Sequence, residues 1–242
     1  MSARNNPVWV MSSAFPGRPL SEVIERTLEI GAQGVEVCVF RQGGTRQDHI
    51  ATHMEYEGFG PDEARRTLET FDAAGLRLSI GAYENLIGGD EGARVANQNH
   101  LLRLIRMAHL MGGDRNDVKV GTFVGYNHDL GKEEGGFERN LEAYARVFRP
   151  IIKYAEDLGV TVMYENCPME GWRPAAAPTT YNNLPATLAA RKLMYALIES
   201  RAHGETYDPS HDAWQGTDPC EVILRTDMSR LHRVHVKGTR NR

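Results

Sequence analysis

Three stretches of this sequence carry side chains of the types that ligate divalent metal ions: Tyr164-Glu165-Asn166, Tyr207-Asp208-Pro209-Ser210-His211 and His235-Val236-Lys237. Carboxylates combined with imidazole suit a hard or borderline divalent ion such as Mg²⁺, Mn²⁺, Co²⁺ or Zn²⁺. Such a site leaves coordination positions open for substrate oxygens or water. If Glu165, Asp208, His211 and His235 converge, they make a metal-centred pocket for a small polyhydroxylated substrate.

Each group also has a plainer role. Glu165 alone would serve as an ion-pair partner or a loop anchor, and Asp208-Pro209-Ser210 is ordinary turn chemistry. A turn does not account for His211. In the run LHRVHVKG, alternation with period two puts His235 on one side with Arg233 and Lys237, opposite Val234 and Val236. That polar side faces either the site or the outer layer, and the inward choice follows from the partners that the two other stretches supply.

Bringing these groups together requires a scaffold. Short β-branched runs alternate with segments of helical period, the pattern of βα units around a parallel sheet. The sequence predicts strands over 8–14, 34–40, 76–83, 118–124, 160–164, 204–207 and 231–236. Helices are predicted over 20–30, 61–74, 93–111, 137–158, 186–200 and 219–226, several of them stopped by glycine: Gly31, Gly75, Gly112 and Gly159. Two long insertions, 41–60 and 167–187, fit loops over a site. In a (β/α)8 TIM-type barrel the functional groups sit at the carboxyl ends of the strands, where Glu165, Asp208 and His235 fall. No eighth βα unit is visible, so the barrel is expected to be incomplete within residues 1–242, a single domain.

Composition narrows the function classes. A formal net charge of −4 offers no basic surface for nucleic acid or an anionic membrane, and no apolar run is long enough to span a bilayer. Three widely spaced cysteines, Cys38, Cys167 and Cys220, make neither a disulfide framework nor a zinc motif, which fits a reducing, cytoplasmic setting. No glycine pair lies in the strand, GxGxxG, helix order of a nucleotide site, and Ser12 and Ser13 lack the His–Asp pattern of a nucleophile.

The segments AEDLGVTVMYEN (155–166), YDPSH (207–211) and HVKG (235–238), in this order and at these strand ends, resemble the xylose isomerase-like TIM barrel superfamily. That superfamily includes ketose 3-epimerases, hydroxypyruvate isomerases, inosose dehydratases and endonuclease IV. The resemblance implies that Glu165, Asp208 and His235 bind one divalent metal, Mn, Mg, Co or Zn, and that His211 contacts substrate beside it. It casts Glu36 as a site-lining carboxylate and Lys237 as the lysine that follows the ligand histidine. The family's fourth ligand, a glutamate on strand eight, has no counterpart before Arg242.

By this resemblance the expected activity is a metal-dependent sugar isomerase or epimerase acting through an enediolate. Glu165 would move the proton, His211 would hold a substrate oxygen, and Lys237 would face the developing oxyanion. His49, His53, Tyr56, Trp172 and Arg173 on the two insertions are candidate specificity residues, with His53, Trp172 and Arg173 assigned to substrate. Two further readings remain: an inosose dehydratase-like lyase and a non-catalytic sugar-binding barrel. An endonuclease IV-like nuclease is disfavoured, because the ends of the first and third strands lack imidazoles and the charge balance is acidic. The expected partner is a small sugar or polyol, with self-association left open.

Overall fold

The computed structural model describes residues 6–42, 52–169 and 182–237. Seven strands, β1 (Trp9–Met11), β2 (Gly34–Cys38), β3 (Arg77–Ala82), β4 (Val120–Thr122), β5 (Val162–Glu165), β6 (His203–Tyr207) and β7 (Leu231–Val234), form one sheet in sequence order. Every neighbouring pair is parallel. The connections carry helices α1 (Leu20–Glu29), α2 (Pro61–Ala73), α3 (Glu91–Leu110), α4 (His128–Gly131), α5 (Gly136–Leu158), α6 (Leu188–Leu197), α7 (Pro209–Trp214) and α8 (Pro219–Arg225).

The sheet is curled. In a flat sheet with strands about 4.8 Å apart, β2 and β7 would lie roughly 24 Å from one another. Instead, His235 just beyond β7 approaches Glu36 of β2 to 3.1 Å, and Arg233 of β7 reaches Asp117 before β4 at 2.9 Å. The seven strands therefore make an incomplete (β/α)8 barrel. Val234 and Val236, on the other side of β7, are 46% and 84% exposed, so the helical layer does not cover this strand among the described residues.

Burial on both faces explains the strand composition. All five residues of β2 are buried, as expected of a parallel strand between a barrel interior and a helix layer. Helix α5 presents Leu141, Tyr144, Phe148, Ile151 and Ala155 to that layer. It stops at Gly159, whose φ of 64° is a left-handed conformation that only glycine adopts without cost, and the chain turns into β5.

The predicted elements are all present, with informative differences. Strand β1 ends at Met11, and Ser12–Ala14 coil into a 3-10 turn. Ser12 Oγ accepts the Cys38 N–H at 2.8 Å and pairs with His53 Nδ1 at 2.9 Å, so a side chain replaces the continuing ladder. The turn expected after Asp208 continues into α7, because Asp208 Oδ1 caps it by accepting from the Ser210 N–H and hydroxyl at 2.8 and 2.6 Å. Asn127 caps the unforeseen α4 in the same way.

Candidate metal and active site

Strand ends position the polar groups. Glu165 is the last residue of β5, Asp208 follows β6, His211 lies in α7, and His235 and Lys237 follow β7. Lys237 Nζ is 2.8 Å from Asp208 Oδ2 and 3.1 Å from His211 Nε2. His211 Nε2 is 3.2 Å from Glu165 Oε1 and 3.4 Å from Asp208 Oδ2. Glu165 Oε2 lies 3.7 Å from His235 Nδ1, and His235 Nε2 lies 3.1 Å from Glu36 Oε2. The Tyr83 hydroxyl donates a short hydrogen bond to Glu36 Oε1. Glu36, Glu165, Asp208, His211, His235 and Lys237, six of the residues selected from sequence, thus form one connected cluster.

The charges within it are unevenly matched. Burial by itself lowers the proton affinity of His235, yet the carboxylates of Glu36 and Glu165 raise it well above the ordinary imidazole range and hold an imidazolium. Burial likewise favours a neutral Glu165, but the hydrogen bonds from His211 and His235 outweigh it and keep the carboxyl ionised far below its usual range. His211 Nε2 has either one proton or one lone pair, and three charged atoms lie within 3.4 Å of it. The Lys237 ammonium meets Asp208 Oδ2 and His211 Nε2, whereas Glu165 meets the two imidazoles.

Asparagines and glycines frame the cluster. Asn166 Oδ1 accepts the Asp208 N–H at 2.7 Å, and its Nδ2 donates to Asp208 O and Asp212 Oδ2, stapling the ends of β5 and β6. Asn183 accepts the Val124 and Gly125 N–H groups and donates to the carbonyls of Glu165 and Cys167. Gly81 and Gly121 make room for Glu36, since a Cβ at either would lie 2.9 or 3.0 Å from Glu36 Oε1. These residues escaped the sequence analysis. Asn166 was in view beside Glu165, whereas Asn183 and Tyr83 have no local pattern that marks them.

The insertion residues divide. Both ring nitrogens of His53 are engaged by the protein, Nδ1 with Ser12 Oγ and Nε2 with Phe15 O at 3.0 Å. Tyr56 is buried against His100, ring edge to face. Trp172, Arg173 and His49 lie outside the described residues. A surface depression of about 630 Å³, lined by residues such as Glu156, Lys192, Tyr195 and Arg230, lies elsewhere and shares no residue with the cluster.

Among the described residues, no helix is long and apolar enough to cross a membrane. Solved structures with a similar fold include a D-tagatose 3-epimerase-like protein, 18% identical with a TM-score of 0.69, the match covering 96% of this chain and 76% of that one. A D-psicose 3-epimerase solved with D-fructose is 14% identical with a TM-score of 0.68, covering 95% and 72%. The probable 3-DHS dehydratase AsbF of Bacillus anthracis is 15% identical with a TM-score of 0.63, also covering 95% and 72%. No curated protein matches significantly. Residues 24–242 match the family model described as xylose isomerase-like TIM barrel, and the chain belongs to that family.

Proposed function

We propose that this protein is a divalent-metal-dependent isomerase or epimerase of a small sugar or related polyol. The observation that carries this reading is one connected cluster: Lys237 Nζ bridges Asp208 and His211, His211 meets Glu165 Oε1, and His235 lies beside Glu165 Oε2. Two carboxylates and two imidazoles are a donor set that suits a divalent ion, and a lysine cation already satisfies part of it. Glu165, Asp208 and His235 would hold the metal. Because His235 is an imidazolium here, its use as a ligand releases a proton. When bound, the metal supplies Lewis-acid polarisation of a substrate carbonyl and acidifies the adjacent C–H.

The protein's own groups do the rest. Glu165 takes the proton from that carbon and delivers it to the neighbouring enediolate carbon in an isomerisation; inversion at the same carbon takes a second proton donor on the opposite face. Bonded to two imidazoles, Glu165 is a weak base, and releasing His211 from Oε1 frees that oxygen for the transfer. Lys237, released from Asp208, places positive charge beside the developing oxyanion. Asn166 and Asn183 keep the strand ends in place during this exchange. Sugar 3-epimerases among the fold relatives support a ketose substrate, and a dehydratase among them supports the lyase alternative.

Purified protein should contain metal by elemental analysis, and Asp208→Ala and His235→Ala should each reduce occupancy at least tenfold while circular dichroism stays unchanged. In D₂O, wild-type protein with a panel of ketoses should yield a stereoisomer or positional isomer carrying deuterium at the reacting carbon. Loss of water from the product would favour the lyase. A full metal complement in Asp208→Ala would overturn the ligand assignment.

A further inference from the structure

We propose that Cys167 is a metal ligand and that, with Glu165 and His211, it gives the site a preference for thiophilic divalent ions such as Zn²⁺ or Co²⁺ over Mg²⁺. This inference deepens the metal-dependent reading above and rests on it. Glu165, Cys167 and His211 each offer a donor atom, and the three atoms lie within 4.8 Å of one another. Tetrahedral zinc, with bonds of about 2.0–2.3 Å, separates its donors by roughly 3.3–3.8 Å. Glu165 Oε1 and His211 Nε2, 3.2 Å apart, are already close to that spacing. The sulfur needs to move by only about 1 Å, within the reach of a side-chain rotation.

Local structure favours this arrangement. Asn183 Nδ2 donates to both Glu165 O and Cys167 O, at 3.1 and 2.9 Å, so a single side chain fixes the backbone that carries two of the three donors. The Met169 thioether lies 3.3 Å from Cys167 Sγ, adding a second soft sulfur to that wall. Asp208, paired with Lys237, and His235, between Glu36 and Glu165, remain the oxygen and nitrogen donors of the ligand set proposed above. Soft thiolate selects Zn²⁺ and related ions, whereas Mg²⁺ takes oxygen donors. Binding breaks the Cys167 S–H bond, forms a sulfur–metal bond and releases the proton to solvent.

Titration of the full chain with Co²⁺ tests this by spectroscopy, without reference to turnover. Wild type should develop a sulfur-to-cobalt charge-transfer band in the near ultraviolet. Cys167→Ser should abolish it and weaken Zn²⁺ binding at least tenfold, while Mg²⁺ binding changes by less than twofold. Cys220→Ser, which alters an exposed cysteine, should leave the band intact. A band of equal strength in Cys167→Ser, or no band in wild type, overturns the proposal. If Asp208→Ala loses metal but Cys167→Ser keeps the wild-type spectrum, Cys167 is dismissed and the ligand set proposed above stands. If the band survives in Asp208→Ala and disappears in Cys167→Ser, the sulfur seat stands and Asp208 is dismissed.

Discussion

Glu205→Ala should destabilise the fold by about 3–5 kcal/mol, a large share of the roughly 5–15 kcal/mol that holds a domain together. Glu205 on β6 and Arg191 on α6 are almost completely buried, with Nε and Oε1 3.0 Å apart. Arg191 Nη1 also donates to Pro185 O at 3.0 Å, and its guanidinium lies 6.0 Å from the centre of the Tyr207 ring. Without the carboxylate, the guanidinium stays charged and loses its contacting counterion, leaving Asp212, beyond ion-pair contact, as the nearby carboxyl. Arg191→Met should cost less, because Glu205 can take up a proton: burial already raises its pKa above the usual carboxylate range. Arg191→Met combined with Glu205→Leu should recover most of the loss, since packed apolar groups often match a buried pair. Urea unfolding of the two single variants and the double variant checks the order. Equal losses in the two single variants would contradict the charge argument.

His203→Phe should flatten the acid side of the stability profile by about 1.4 kcal/mol per pH unit between roughly pH 6 and 4. His203 is buried on β6 between the rings of Tyr164 and Tyr195, at 5.6 and 5.7 Å. Burial, assisted by Arg230, lowers its pKa from 6.5 to about 3. The unfolded chain therefore binds a proton below about pH 6.5 that the folded chain refuses until about pH 3. Stability from this residue is fully present above the unfolded value and drains away as the pH falls, by on the order of 3–5 kcal/mol in total. His235 does not share this window. Its folded pKa is raised, so its contribution is complete below about 6.5 and is lost only on the alkaline side. The slope rather than the absolute stability is the measure, so repacking around the phenyl ring does not obscure it. An unchanged slope in denaturant midpoints from pH 6 to 4 would refute the assignment.

Local signals made the barrel legible. Gly31, Gly75 and Gly159 mark helix ends, and the strand-end positions of Glu165, Asp208 and His235 follow from the βα rhythm. What stayed hidden depends on closure in three dimensions. Glu36 and His235 are 199 residues apart in sequence, and only the curl of the sheet makes them partners. The Tyr83 hydroxyl reaches Glu36 because residues 81 and 121 have no side chains, which spacing along one strand cannot reveal. Ser12 and His53 form a pair across an insertion whose conformation no periodicity specifies. Nothing in the sequence around Arg191 separates it from an exposed helical arginine, and only packing against β6 shows it to be buried.

The join between β6 and β7 sets which side chains enter the site. Glu205 pairs with Leu231, but Thr206 pairs with Arg233, so β7 carries one extra residue at His232. In regular register Val234 would stand beside Asp208 and His235 would point away. The irregularity reverses that parity, and the bond from His235 N–H to Tyr207 O at 2.9 Å fixes the shifted frame. Straightening the bulge, so that Thr206 paired with His232, would set an isopropyl group in place of an imidazole at the heart of the cluster, whereas deleting His232 would keep His235 opposite Asp208. The chemistry of the strand is thus written in its register as well as in its residue types.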